Sequence, residues 1–140
     1  MQAKRAAARQ QAAEPGGHAV WPIPVESEWD PPPSSDTYVY HVSATARISE
    51  RIGRRDGRLV YFAIMLDCET NGEWKNIWRI DCSDDSVHRH VYPNMKDRSV
   101  IRPIRTQNDV ESTYATAIDE VETRWQEIES GWRDGTPYRA

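Results

Sequence analysis

Two dipeptides, Asp56-Gly57 and Asn71-Gly72, do most to restrict how this chain folds, because each is a preferred two-residue turn between antiparallel strands. Between them, residues 58–67 are near-continuously apolar (Leu59-Val60-Tyr61-Phe62-Ala63-Ile64-Met65-Leu66), the pattern of a central strand covered on both faces. Upstream, residues 37–49 predict a strand. Tyr38, Tyr40, Val42, Ala44, Ala46 and Ile48 fall on one face, with Thr37, His41, Ser43, Thr45, Arg47 and Ser49 on the other. Downstream, residues 73–82 alternate Trp74, Asn76, Trp78 and Ile80 against Lys75, Ile77, Arg79 and Asp81. Residues 87–92 read as a short fourth strand ended by Pro93-Asn94, and residues 100–104 as a fifth, which Pro103 confines to an edge.

A helix follows. Val110, Tyr114, Ile118, Val121, Trp125, Ile128 and Trp132 recur at intervals of three and four, which puts them on one stripe. Asn108 is the expected cap, with Glu111 completing a capping-box-like pair, and Gly135 with Pro137 stops the helix. A sheet needs a cover, so the stripe is expected to pack on the strands; pairing with the same helix of a second copy is the rival use. The fold class expected is therefore α+β: an antiparallel meander of about five strands packed by one long C-terminal helix.

An N-terminal arm, residues 1–36, precedes a domain over 37–134, and residues 135–140 form a tail. The arm holds 5 of the chain's 9 prolines within residues 20–36 and so reads as extended, polyproline-like chain. It also carries Trp21, Ile23, Val25 and Trp29, which are too apolar for a spacer and are expected to meet the domain's own surface or a protein partner. Its first 13 residues, rich in Ala, Gln and Arg, lack the apolar core of a signal peptide, and no run approaches a membrane span. A cytoplasmic setting is expected, with Cys68 and Cys82 as free thiols rather than a cross-strand bridge.

The formal net charge of -4 is unevenly spread. Residues 37–106 hold 12 basic and 9 acidic groups, while residues 107–140 hold 3 and 8. That balance argues against avid duplex binding and leaves room for a small RNA site. No P-loop, dinucleotide-binding glycine pattern or C-x-x-C pair is present, and no cofactor is implied.

The densest polar group is Arg79 and Asp81 with His88-Arg89-His90. On a strand His88 and His90 project from one face, so with Asp81 they form a candidate metal site. The same residues support an acid–base reading in which His88 and His90 exchange protons while Arg79 or Arg89 steadies a phosphate, as in an RNA-cleaving toxin. The plain alternative is a surface ion pair between Arg79 and Asp81 beside two solvated histidines. Arg51, Arg54, Arg55 and Arg58 crowd a hairpin tip, where solvated charge is the usual explanation.

The stretch from Trp74 to Asp81 (W-x-x-I-x-R-x-D), the following His88-Arg89-His90-Val91-Tyr92 and the helix end Glu129-Ser130-Gly131-Trp132 resemble an uncharacterised family of small actinobacterial and haloarchaeal proteins. That resemblance implies the fold and no activity. A looser likeness, limited to Trp78 through Asp81 and His88 through His90, is to the TumE family of toxin components. The favoured function is a non-enzymatic protein–protein interaction module. An RNA-cleaving toxin and a metal-binding module are the alternatives, and a helix-mediated homo-oligomer is a further option.

Overall fold

The computed structural model describes residues 34–83, 86–97 and 99–139. The arm residues Trp21, Ile23, Val25 and Trp29 lie outside the described residues, as do Asp84 and Asp85. Six strands, β1 (Ser34–His41), β2 (Ala46–Arg55), β3 (Arg58–Thr70), β4 (Glu73–Ser83), β5 (Ser86–Val91) and β6 (Ser99–Pro103), precede one helix, α1 (Gln107–Asp134). The strands form a single antiparallel sheet in chain order.

Both glycine turns are as tight as their sequences require. Asp56 and Gly57 have φ of 53° and 77°, Asn71 and Gly72 of 52° and 80°, the paired left-handed conformation whose twist matches flanking strands. The expected single strand over residues 37–49 is instead two strands, which makes six rather than five. The chain reverses over residues 42–45, where Val42 and Ser43 donate to the Ala46 carbonyl and the Thr45 N–H donates to Ser43 Oγ. Tyr40 then stands opposite Ile48, so the reversal preserves the alternation that the sequence displays. Parity alone cannot distinguish one long strand from this hairpin.

The helix is capped two residues ahead of the expected position. Thr106 caps it, its Oγ1 accepting from the Asp109 N–H, while the Asp109 side chain accepts from the Thr106 N–H. The physical cause is Gln107, which is buried and donates through Nε2 to the Leu59 carbonyl at 2.5 Å, pinning the first turn to β3. Gly135 closes the other end in the left-handed conformation, φ 74°.

The stripe lies across the sheet, chiefly over β3 and β4. Val110, Tyr114, Ile118, Val121 and Ile128 are buried, and Trp125 and Trp132 pack against the same core as Phe62, Ile64, Leu66 and Trp78. Seven apolar helix residues are thus engaged by the chain's own sheet. The opposite face is not covered as the apolar run over residues 58–67 suggests: Tyr61, Met65 and Asp67 alternate with buried neighbours and are half-exposed. Cys68 and Cys82 are free and buried; their partners, Lys75 and Val87, place them at opposite ends of β4.

Candidate functional site on the open face of the sheet

Register decides what the face away from the helix carries. Arg79 pairs with His90 and Asp81 with His88, so all four side chains rise from this open face of β4 and β5. The rows continue across the sheet, with Met65 and then Ser49 and Val39 beside Arg79, and Ala63 and then Arg51 and Thr37 beside Asp81. Val100 of β6 stands beside His88.

The polar groups bind one another. Arg79 Nε lies 2.8 Å from Asp81 Oδ2, a charge contact whose angle falls outside that of a hydrogen bond, and Arg79 Nη2 lies 3.3 Å from His90 Nε2. His90 Nδ1 sits 2.9 Å from the Met95 carbonyl oxygen. A carbonyl only accepts, so Nδ1 carries the proton, and the Nε2 lone pair receives the Arg79 guanidinium. His90 therefore has both ring nitrogens occupied, and the imidazole is only 7% exposed. Proton transfer through Nε2 would require Arg79 to leave first. Asp81 Oδ1 is 3.6 Å from the same Nε2, too far to compete for it. His88 is buried, with Nε2 at 3.0 Å from Ser86 Oγ.

Arg89 is not part of this group. One residue out of phase with the histidines, it faces the helix, where Nη2 meets Glu120 Oε1 at 2.5 Å and Nε meets Oε2 at 3.2 Å. Glu120 also accepts from Trp78 Nε1 at 3.1 Å, which ties helix, β4 and β5 together. The four residues assigned to phosphate chemistry are thereby split, three on one face and Arg89 on the other. As for metal ligation, the described residues contain no cluster of three or more His, Cys, Asp or Glu side chains placed to hold an ion. At His90 and Asp81 a cation would have to displace Arg79.

A second network occupies the far end of the open face. Arg47 contacts Asp67 at 3.3 Å and lies over the Trp74 ring at 4.3 Å, Asn76 donates to Asp67 at 3.1 Å, and His41 meets Trp74 edge-on. Apolar groups share the face: Val39 is 46% and Val100 62% exposed. Ile101, also exposed, belongs to β6, all of whose residues reach solvent.

Sequence reasoning passed over Glu50. It is fully buried beneath the helix, accepting from Tyr40 Oη at 2.8 Å and from Tyr114 Oη at 2.5 Å. The signal was its phase, since Glu50 alternates with Ile48 and Ile52 on the core face, but the expected strand stopped at Ser49. Burial also governs the thiol of Cys68, pushed up to about 12 chiefly by desolvation and secondarily by the charge of Glu129.

Among the described residues no helix is long and apolar enough to cross a membrane. No curated protein and no solved structure matches the chain. A family model does, over residues 30–136, consistent with the resemblance to an uncharacterised family and leaving Trp21, Ile23, Val25 and Trp29 outside the matched region. The chain belongs to the family described as a domain of unknown function, DUF7718.

Proposed function

We propose that the chain is a non-enzymatic protein-interaction module whose open sheet face receives an extended, apolar and acidic segment of a protein partner. The observation that carries this reading is the contrast within one face. The groups able to do chemistry are bound to each other, Arg79 to Asp81 and His90, and Arg47 to Asp67, whereas Val39 and Val100 on the same face are exposed. A histidine with both ring nitrogens engaged, as His90 has, is a poor proton shuttle. Exposed aliphatic groups rimmed by arginines suit a segment that brings both apolar and negatively charged side chains.

The test separates this reading from an RNA-cleaving toxin and from a metal-binding module. A protein recovered with the chain at native abundance should be lost when Val39→Glu and Val100→Glu are combined, with the melting temperature unchanged. Its retention by that variant contradicts the reading. So does RNA cleavage, or stoichiometric zinc binding, that the wild type shows and the His88→Ala/His90→Ala variant lacks.

A further inference from the structure

β4 runs past the end of β5. The last pair between them is Trp78 with Val91, and beyond it the Tyr92 N–H donates to the Ile77 carbonyl at 3.1 Å before the chain turns away at Pro93. Residues 73–76 therefore have β3 on one side and, among the described residues, no strand on the other. On β3 the Glu69 N–H donates to the Thr45 carbonyl at 2.9 Å and so points away from its partner in β4, Trp74. In an antiparallel ladder both members of such a pair turn their backbone groups outward. Those of Trp74, and two residues on those of Asn76, are thus directed into the space that β5 vacates, where a further strand would bond to them.

The same space opens on a cavity of about 350 Å³ at the C-terminal end of the helix. Ile77, Tyr92, Pro93, Met95 and Trp132 line it, together with the exposed Lys75. Its walls are held from outside: Tyr92 Oη donates to the Thr136 carbonyl, and the Met95 carbonyl accepts from His90 Nδ1 at 2.9 Å. Lys75 pairs with the buried Cys68 and so takes the helix side of β4. A residue laid beside Lys75 would send its side chain to that side too, into the cavity.

Shape and charge define the occupant. Tyr92 and Pro93 close one end of this slot, and the Asn71-Gly72 tip leaves the other open. Residues 73–76 span about 13 Å, so an extended segment of about four residues fills the slot and has to end at Tyr92. The aromatic and aliphatic lining selects an apolar last side chain. Lys75 selects a negative end, because among the described residues its ammonium has no hydrogen-bond or ion-pair partner. The helix end opposes an anion little, since the carbonyls of Gly131 and Trp132 already accept from the Thr136 and Gly135 N–H groups.

We propose that this slot binds the C-terminal end of a partner protein. The extended tail bonds to β4 beside Trp74 and Asn76, places an apolar final side chain among Tyr92, Met95 and Trp132, and sets its carboxylate against Lys75. The site lies on the helix side of the sheet, apart from Val39 and Val100, and does not rest on the reading given for the open face.

NMR of the full chain with synthetic peptides tests this without a known partner. The probes are two hexapeptide pools, random except for a final leucine or phenylalanine, each made as free acids and as amides. The free acids should shift the Met95 methyl and Trp132 indole signals and leave the Met65 methyl, on the open face, in place. The amides should bind at least tenfold more weakly, and so should the free acids to Lys75→Glu, whose melting temperature is expected to match the wild type. No response to either free-acid pool overturns the proposal, as does equal binding of acids and amides or full binding by Lys75→Glu. Phenylacetate that reproduces the shifts at the same concentration overturns the chain-end reading in favour of a small carboxylate.

Discussion

At single residues, what matters is which side chains are already satisfied. Glu50 is the sharpest case, because it is a carboxylate without solvent that holds two phenols. Glu50→Ala strips Tyr40 and Tyr114 of their shared acceptor and leaves a cavity, so a loss of about 3 kcal/mol is expected in denaturant titrations. Glu50→Gln should cost less, since an amide oxygen still accepts. At Gly131 the constraint is steric: an added Cβ would lie 2.5 Å from Tyr92 Oη and 2.8 Å from the Thr136 carbonyl oxygen. Gly131→Ala should therefore destabilise by about 1–3 kcal/mol, and Tyr92→Phe in the same chain should recover part of that. The Cys68 thiol, raised to about 12, should resist thiol reagents at pH 8 in the native state and react on unfolding. Rapid native labelling would show that the site opens. Arg89 marks what the sequence did not reveal at this scale. It neighbours both histidines in the chain and yet faces the other way, a consequence of strand geometry that sequence adjacency hides.

At the level of elements the glycine turns, the helix stripe and its Gly135 stop were legible because each has a local cause. Two boundaries were not. The reversal over residues 42–45 lacks glycine, proline and asparagine and is closed by Ser43, a weaker turn former whose hydroxyl accepts from Thr45 N–H. The helix start depends on Gln107 reaching Leu59 on a strand 48 positions away, which no local pattern contains. Thr106→Ala should cost about 1 kcal/mol of stability if Thr106 is the cap, and Asn108→Ala close to nothing. Hydrogen bonds from the Arg105 and Thr106 backbone, with the charge of Arg102, hold the Asp109 carboxyl below its ordinary 3.8. The folded state thus binds this proton more weakly than the unfolded chain does. Its contribution is complete above about pH 3.8 and declines as the pH falls through the depressed value. In Asp109→Asn that part of the acid destabilisation should disappear, which melting curves between pH 2 and 5 would register.

For the whole molecule, a sheet with one face under a helix leaves its other face to be explained. The alternation over residues 37–49 and the stripe from Val110 to Trp132 made the covered face readable in advance. The open face was not legible because the run over residues 58–67 contains Tyr61 and Met65, whose apolar character hides that they alternate with the core positions Phe62, Ile64 and Leu66. Partition of charge follows the same division, with the sheet region carrying the basic excess and the helix region the acidic one. On the proposed reading, a face that combines exposed aliphatic residues with polar groups already bound to one another serves recognition. The decisive measurement is the binding isotherm of the purified co-isolated protein against the wild type and Val100→Glu, each with its melting temperature. Affinity reduced at least tenfold in Val100→Glu at an unchanged melting temperature, about 1.4 kcal/mol, is the expected result. Equal affinity for both chains would mean that the open face is not where the partner binds.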